Sequence, residues 1–401
     1  MQRQYVVSER AHFMCPNMHF GMIAEIEKAC VPEDIASTLH RLAQAHPFLR
    51  SVIAACEDDD RLYYKVTDRS QIALSIRDDD SALWDDYKAA AVQDWNVFDE
   101  GLLRVIVYPK KSGMTVLFIA HHLLVDGRGL LGVAQEFADD YVKGIAPAYA
   151  EENLIAGIDD LPDKSRLSGI SRLLVRQANR QWAKEKQTVS YAQYSAFARE
   201  YARTHPVDYQ VYDIHEDAMA DMVQLCRANG FTVNDLLMAH MYLKTGAEKI
   251  IIAADIRNQF PNYREGALGN YSTALSIRFR PSSPDLVETG KKVHQRVRRR
   301  LSNNRALMLI LACYFEMTPT LLDAAAISAL GGFASSAGLF VGDRMFGFRH
   351  PRSYSITNLG RIESDSIRSL VFIPPASPAA KLSLGVVTLN GRLRACSSRN
   401  R

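Results

Sequence analysis

The first half of the 401-residue chain contains the segment Ala120-His121-His122-Leu123-Leu124-Val125-Asp126-Gly127-Arg128-Gly129. The seven residues before His121 (114–120, Met-Thr-Val-Leu-Phe-Ile-Ala) are largely apolar and predict a buried strand. From about Gly129 to Lys143 apolar side chains recur at helical spacing, and Gly144 ends the predicted helix. Two histidines therefore stand where a buried strand ends and the chain turns towards a helix. Reactive side chains become accessible at such positions.

The residue types of this segment suit proton transfer. Histidine is the side chain whose pKa matches proton abstraction near neutral pH. Gly127 and Gly129 allow a tight backbone and leave room for a ligand. A satisfied polar patch at a sheet edge is the alternative interpretation, and the seven-residue pattern alone does not separate the two. A metal site is not expected, because adjacent strand residues point to opposite faces and His121 and His122 cannot easily hold one ion.

Strand and helix patterns alternate along the rest of the chain. In the first half, a helix begins at Pro32 and ends before Pro47, and strands are predicted over residues 62–66 and 102–108. Residues 145–190 are polar, include a basic helical stretch, and are interpreted as a connection. The second half repeats the alternation, with helices over 216–229 and from the capping residue Thr232, strands over 249–257, 354–359 and 383–389, and a hairpin at Asn390-Gly391.

These patterns predict an α/β or α+β protein of two comparable halves. We expect an N-terminal lobe over residues 1–165, a connection over 166–190 and a C-terminal lobe over 191–401.

Composition limits the possible partners and the compartment. The chain is 47% hydrophobic and 23% charged, and its formal net charge of +3 gives no reason to expect nucleic acid or an anionic membrane as a partner. Six cysteines are scattered without a CxxC pair, which is typical of reduced thiols in a cytoplasmic protein. The N-terminal residues have no apolar region of the kind that a signal peptide contains.

An uncharged stretch over residues 324–342 could nearly span a bilayer by its length. It consists mainly of Ala, Gly and Ser, and Gly331-Gly332 interrupts it. We therefore predict a buried helix followed by a loop that lines a cavity, and no integral membrane segment.

The segment from His121 to Gly127 resembles the complete HHxxxDG signature of nonribosomal peptide condensation domains, polyketide-associated acyltransferases and alcohol acyltransferases of the chloramphenicol acetyltransferase superfamily. Weaker similarities follow in the family's order along the whole chain. They are His46–Arg50 (HPxLR-like), Phe98–Arg104, Thr232–Leu237, Asp255–Arg257, Leu268–Ser272 (GNxxS-like) and Ser355–Gly360 (SNLG-like). The DFGWG element of the plant branch is absent, so the resemblance is to the condensation-like or alcohol acyltransferase branch. With 401 residues and no flanking carrier domain, the chain is expected to be a free-standing enzyme.

The resemblance implies two chloramphenicol-acetyltransferase-like α/β lobes, each an α+β two-layer sandwich, arranged as a V-shaped pseudo-dimer with an active-site tunnel between them. His122 matches the family's catalytic base, and His121 matches the neighbouring position, whose role is more structural. Asp126 matches a residue that points away from the substrate and pairs with an arginine, for which Arg257 is the candidate. A bidentate arginine–carboxylate pair would suit such a clamp. Since the two implied lobes already form the interface that encloses the tunnel within one chain, a monomer is expected.

The implied activity is transfer of an acyl group from a coenzyme A or carrier-protein phosphopantetheine thioester to the hydroxyl or amine of a small-molecule acceptor, in natural-product or lipid biosynthesis. Asn358, Ser272 and Gly127 are the candidates for substrate contact or oxyanion stabilisation. No permanently bound cofactor and no metal are implied. Two alternatives stay open, namely an inactive condensation-like recruitment domain and a carrier-dependent cyclisation, dehydration or epimerisation catalyst.

Two further segments allow two interpretations each. The basic run 291–300 lies on a predicted amphipathic helix, so its charges form a solvated face or a docking surface for an acidic carrier protein or coenzyme A phosphates. Residues 307–314 and the Ala/Gly-rich segment after them are either ordinary core or the lining of an acyl pocket.

Overall fold

The computed structural model describes residues 3–92 and 95–401 and contains three β-sheets with helices packed around them. Its fourteen described strands are β1 Tyr5–Val6, β2 His19–Ile26, β3 Ser51–Ala55, β4 Leu62–Val66, β5 Ala73–Ile76, β6 Leu103–Lys110, β7 Gly113–His121, β8 Val207–Ile214, β9 Lys249–Asp255, β10 Ser272–Arg278, β11 Ser353–Ile362, β12 Ser369–Ile373, β13 Ala380–Leu389 and β14 Arg392–Asn400.

The described helices are α1 Arg10–Phe13, α2 Pro32–Ala45, α3 Leu83–Val92, α4 Gly127–Lys143, α5 Gly169–Glu185, α6 Tyr191–Thr204, α7 Glu216–Asn229, α8 Val233–Thr245, α9 Leu286–Leu301, α10 Asn304–Leu307, α11 Leu309–Glu316, α12 Pro319–Ala329 and α13 Ser336–Leu339. A π-helical turn, Phe340–Phe346, continues α13. The predicted α/β class is confirmed. The V-shaped arrangement and the tunnel stay predictions.

The two large sheets draw their strands from different halves of the chain. The six-stranded sheet, in the order β10-β9-β11-β13-β14-β8, comes entirely from the second half. The five-stranded sheet, in the order β12-β2-β7-β6-β5, comes from the first half except for β12, which pairs antiparallel with β2. No local sequence pattern indicates this exchange. The predicted connection at residues 166–190 stays a prediction. However, β12, which lies within the predicted C-terminal lobe, completes the five-stranded sheet of the predicted N-terminal lobe.

Local sequence chemistry explains the element boundaries that matter for the site. All nine residues of β7 are buried, as expected for an apolar central strand between β2 and β6. Helix α4 begins at Gly127, two residues before the predicted start, because the Asp126 side chain caps it by accepting the Gly129 N–H at 3.0 Å. Gly144 ends it with a φ of +71°, a left-handed conformation that suits glycine.

A buried ion pair fixes the short helix α1 against α12. The Arg10 guanidinium donates from Nε and Nη2 to the two carboxylate oxygens of Asp323, at 2.7 and 2.5 Å. Both side chains are almost completely buried, and a two-bond geometry of this kind restricts the orientation of both partners. Since α1 is only four residues long, this pair determines where its remaining side chains lie.

The uncharged segment 324–342 forms the end of α12, a loop, α13 and part of the π-helical turn. The predicted buried helix is confirmed, because every residue from Leu321 to Ala329 is buried. Within the described residues, no single helix has the length and apolar character needed to cross a bilayer. Helices α11 and α12 meet such a test only together, as a pair bent by 113°.

Candidate active site

The two histidines at the end of β7 are held by hydrogen bonds to residues next to the two neighbouring strands. The His121 N–H donates to the carbonyl of Leu102, next to β6, and the His122 N–H donates to the carbonyl of Met18, next to β2, both at 2.9 Å. The two side chains point into different cavities. His121 lines a small cavity of about 60 Å³ beside Trp95, whereas His122 lines a different cavity of about 160 Å³.

The cavity at His122 lies where the end of β7 meets the β9, β10 and β11 side of the six-stranded sheet. Ser8 and His12 from the N-terminal segment form one wall with His122. Residues of β9, β10, β11 and α11 form the other, among them Ser272, Thr357 and Tyr314. Its lining is mixed, with apolar side chains from β9 and α11 and hydroxyl groups from β10 and β11. A concave site of this kind, with a few polar groups directed inwards, is typical of small-molecule binding.

The His122 ring is held by packing against two other rings. The His12 ring covers one face, with centroids 4.2 Å apart and planes at 16°, and the Phe20 ring lies 4.9 Å away. Its Nδ1 atom is buried and has no hydrogen-bond partner among the described residues, which leaves Nε2 to reach a ligand in the cavity. Burial lowers the pKa of His122 below its usual 6.5, and the negative charge of Asp126 only partly opposes this.

His12 is a cavity residue that the sequence analysis missed. Burial is the main cause that holds its pKa well below 6.5, and the neighbouring His122 and His121 lower the pKa further. The ring is therefore neutral near pH 7, and a neutral imidazole still carries one N–H donor. His12 lies in a four-residue helix that has no recognisable sequence pattern. It is 110 positions from His122 in the sequence, and local sequence patterns carry no information on such a distant contact.

His121 holds the loop that carries His122. Its Nδ1 accepts the N–H of Leu123 at 3.2 Å, so Nδ1 carries no proton in this arrangement. Burial, followed by the effect of His19, lowers the pKa of His121 to about 3, and the ring is uncharged at any pH near neutrality.

Asp126 is buried and points away from the cavity. Its Oδ1 accepts from Arg257 Nη2 at 2.6 Å and from the Gly129 N–H, and its Oδ2 accepts the Tyr271 N–H at 3.0 Å. The structure thus brings Asp126 and Arg257 together, but through one guanidinium nitrogen and not through a bidentate pair. Burial opposes the charge on Arg257, but Asp126 and then Asp255 outweigh it and raise its pKa.

The segment Gly269–Tyr271 binds the histidine loop through three hydrogen bonds. The Asp126 N–H donates to the Gly269 carbonyl at 3.2 Å, and Asn270 Nδ2 donates to the His122 carbonyl at 2.7 Å. The Tyr271 N–H supplies the third bond, to Asp126. These contacts explain the GNxxS-like sequence in physical terms. The Asn270 side chain and the backbone of this segment connect the second half of the chain to the histidine loop.

The remaining predicted site residues lie in two places. Ser272 lines the cavity, as expected for a substrate-contacting residue. Asn358 is not among the cavity residues, and its Oδ1 accepts the Gly360 N–H at 2.9 Å, which stabilises a turn in β11. Gly127 lies against Leu359 and Phe372, so close that a Cβ atom would come within 2.9 Å of Leu359. The structure therefore does not bring Asn358 or Gly127 to the cavity, because each is engaged in local packing.

Within the part of the chain that the structure describes, no group of three or more His, Cys, Asp or Glu side chains is arranged to hold a metal ion. His121 and His122 line separate cavities, as the opposite directions of neighbouring residues require.

No protein-family model matches the chain, and no curated protein matches its sequence. Solved structures do match it over nearly its whole length. The trichothecene 15-O-acetyltransferase from Fusarium sporotrichioides aligns with a TM-score of 0.64 and 12% identity over 98% of this chain and 89% of its own. The epimerization domain of tyrocidine synthetase B aligns with a TM-score of 0.61 and 13% identity, over 100% and 91% of the two chains.

The starter condensation domain of rhizomide synthetase, crystallised with C8-CoA and Leu-SNAC, aligns with a TM-score of 0.59 and 15% identity over 99% of this chain and 89% of its own. The chain has the fold of condensation and acetyltransferase domains. At such low identity this likeness establishes the fold, and the chemistry has to be argued from the site.

Proposed function

We propose that this protein is an acyltransferase that passes an acyl group from a coenzyme A or carrier-bound thioester to a hydroxyl or amine acceptor, with His122 as the general base. The observation that carries the proposal is the position of His122 on a cavity that residues of β9, β10, β11 and α11 also line, where Nδ1 is buried and Nε2 is left to meet a ligand. Its lowered pKa keeps the ring unprotonated near neutral pH, as a base must be before it acts.

The reaction needs no covalent acyl-enzyme. As the acceptor oxygen or nitrogen attacks the thioester carbonyl, its proton passes to Nε2 of His122, and the new carbon–oxygen or carbon–nitrogen bond forms. The tetrahedral intermediate then collapses with cleavage of the carbon–sulfur bond. The imidazolium returns its proton to the departing thiolate, which restores neutral His122 for the next turnover.

Developing negative charge on the carbonyl oxygen requires a donor within the cavity. Asn358 and Gly127 lie elsewhere, so the donors available beside His122 are the Ser272 hydroxyl and the N–H of neutral His12. A preorganised neutral imidazole can stabilise such an oxyanion without delivering a full proton. We assign this role to His12 and a supporting role to Ser272.

Asp126 and Arg257 act in this proposal as positioning residues. They do not face the ligand, but they connect the histidine loop to the turn after β9 and to the segment before β10, and this fixes the direction of His122 across the cavity. A misplacement of about 1 Å in such a base can lower the rate by about 10²-fold.

A direct test incubates the purified protein with acyl-coenzyme A donors of increasing chain length, with and without alcohols and amines, and measures release of free thiol. Acyl-carrier protein and acyl-N-acetylcysteamine donors form parallel arms. Acceptor-dependent thiol release that His122→Ala abolishes is the expected result. Equal release by wild type and His122→Ala would refute His122 as the base, and thioester binding without release by any donor would indicate a recruitment domain.

The pair of imidazoles on one cavity favours a second candidate, proton exchange at the acidic carbon of a thioester-bound substrate, since one ring can remove and the other return a proton. Mass spectrometry of aminoacyl-thioesters incubated with the protein in deuterated water tests it. Deuterium incorporation without thiol release would replace the acyl-transfer proposal.

A further inference from the structure

A second concave site lies at one end of the six-stranded sheet. This cleft, of about 520 Å³, is formed where α12 ends, β13 begins and β14 ends. Its lining carries four basic side chains, those of Arg349, Lys381, Arg399 and Arg401, and among the described residues that line it there is no aspartate or glutamate. The formal net charge of the whole chain is only +3, so such a one-sided group is a local feature. We call it the basic cleft.

Most of this charge is not neutralised by the protein. Arg401 pairs with Asp208, but in the described part of the chain no carboxylate pairs with Arg349, Lys381 or Arg399. Cations elsewhere on the surface often have a partner, as Lys292 has in Glu288 and Arg203 in Glu200. Like charges gathered in a concave surface raise the local positive potential and attract anions, and arginine in particular suits phosphate groups.

The basic cleft also offers flat aromatic surfaces. Phe348 lines one side, and Tyr201 lines another with the exposed His205 ring stacked on it, at 4.3 Å and an angle of 8°. Aromatic faces next to unneutralised cations form a combination that suits a ligand with both a planar ring and phosphates.

A row of aromatic rings connects the basic cleft to the cavity at His122. Tyr314, which lines that cavity, contacts Phe346 at 5.7 Å, and Phe346 contacts Phe348, which lines the cleft, at 5.8 Å. Three aromatic side chains in sequential contact therefore link the two sites.

The strand register leads to the same conclusion. Ala380 of the basic cleft pairs with Ser353, and Ser355 of the cavity lies two residues further along β11, which corresponds to roughly 7 Å. The Ser355 hydroxyl is hydrogen-bonded to that of Ser383 at 2.8 Å, and Ser383 lies two positions after Lys381 along β13.

We propose that the basic cleft binds the phosphorylated adenosine end of coenzyme A, with the pantetheine arm extending along the Tyr314–Phe346–Phe348 row to His122. This inference rests on the proposed acyl transfer and specifies the donor. A nucleotide with three phosphate groups uses both the concave cations and the aromatic faces, whereas the arm of a carrier protein has a single phosphodiester and no planar base.

The first experiment measures binding without catalysis. Adenosine 3′,5′-bisphosphate is titrated calorimetrically into wild type and into the double variant Arg349→Glu/Lys381→Glu, whose changed side chains are exposed. Arg298→Glu/Arg299→Glu on α9 is the matched control, since it reverses two exposed charges of the other basic group. We expect at least a tenfold loss of affinity in the cleft variant only. Unchanged binding there, or a loss confined to the α9 variant, would overturn the proposal.

The second experiment separates the donor classes by steady-state kinetics. The cleft variant should raise KM for acyl-coenzyme A with kcat little changed, and should leave an acyl-N-acetylcysteamine thioester unaffected. A raised KM for a carrier-bound donor but not for acyl-coenzyme A would overturn the nucleotide assignment in favour of a carrier. Bisphosphate binding by a chain that transfers no acyl group would refute the proposed function and leave the cleft assignment standing, so the two failures are distinguishable.

Discussion

The imidazole rings of His12 and His122 lie face to face, with centroids 4.2 Å apart and planes inclined by 16°. They come from distant parts of the chain, one from α1 and the other from the loop after β7. Both line the same cavity, and burial lowers the pKa of each, so both are neutral under ordinary conditions. One neutral ring can accept a proton while the other donates an N–H, a division of labour that two charged rings could not maintain at this distance.

Substitutions of His12 can separate its packing from its hydrogen bonding. His12→Phe keeps a ring over His122 but removes the N–H, and His12→Gln keeps an N–H donor without the ring. If His12 stabilises the oxyanion, His12→Phe should lower kcat by about 10²–10³-fold, and His12→Gln should recover part of the loss. Steady-state kinetics at saturating donor measures both.

His19→Phe is the matched control for these variants. His19 is a buried histidine of β2 that does not line the cavity, and its Nε2 has no described partner. Its replacement should leave kcat within a few-fold of wild type. If His12→Phe retained full activity while His12→Gln lost it, the ring would matter for packing and the donor role would be wrong.

Replacement of His122 by alanine should lower kcat by roughly 10²–10⁴-fold, because the reaction loses its general base. The fold should persist, since the buried Nδ1 atom has no hydrogen-bond partner among the described residues and the ring borders a cavity. Thiol release measures activity, and circular dichroism with thermal unfolding confirms folding. Wild-type turnover in this variant would end the proposed mechanism.

The pH dependence of kcat/KM should reflect the lowered pKa of His122. The base acts only when it is unprotonated, so activity should be complete at neutral pH and should fall as the pH decreases through a value below the usual 6.5. Rate measurements between pH 4 and 8 locate this acid limb. A limb at or above 6.5 would show that the ring is not held in the buried environment described here.

The Asp126–Arg257 contact should contribute strongly to stability. Asp126→Ala leaves a buried guanidinium without its closest partner, and breaking a buried pair in this way costs about 3–5 kcal/mol of unfolding free energy. Urea unfolding of wild type and variant measures the loss. The exposed pair Arg203–Glu200 supplies the comparison, because solvent screens its charges and Glu200→Ala should cost much less unfolding free energy than Asp126→Ala. Similar losses in both variants would contradict a clamp at Asp126.

Glu9 should make the protein less stable as the pH rises. Its carboxyl group is fully buried without a described hydrogen-bond partner, and burial raises its pKa from 4.5 to about 7. The folded chain therefore keeps a proton that the unfolded chain releases between these values, so stability falls with increasing pH over this window and stays lower above it. Glu9→Gln should raise Tm relative to wild type at pH 8 more than at pH 5. Parallel Tm profiles would contradict this.

Local patterns were sufficient to predict the elements that carry the main site residues. The buried strand before His121, the helix after Asp126 and the hairpin at Asn390-Gly391 are all present, and both hairpin residues have a positive φ. The capping box at Thr232 and Asp235 also forms. These features depend on interactions within a few residues, which a sequence displays directly.

The direction of side chains within a strand end was harder to predict. Asn358 and Ser272 were both candidates for the cavity, but only Ser272 lines it, because Asn358 instead forms a turn with Gly360. A motif fixes the residue type and its place in the chain. It does not fix which face of a bulged strand the side chain occupies, and β11 is irregular between Asn358 and Arg361.

The sequence by itself determined the class of fold, the position of the histidine loop and the pairing candidate for Asp126, since each is expressed in residues that are neighbours along the chain or in a recognisable motif. Only the tertiary structure decided that β12 joins the other sheet, that Asn270 holds the His122 carbonyl and that His12 covers the His122 ring. These contacts join segments 100 residues or more apart, and their free energy arises from packing that no local pattern records.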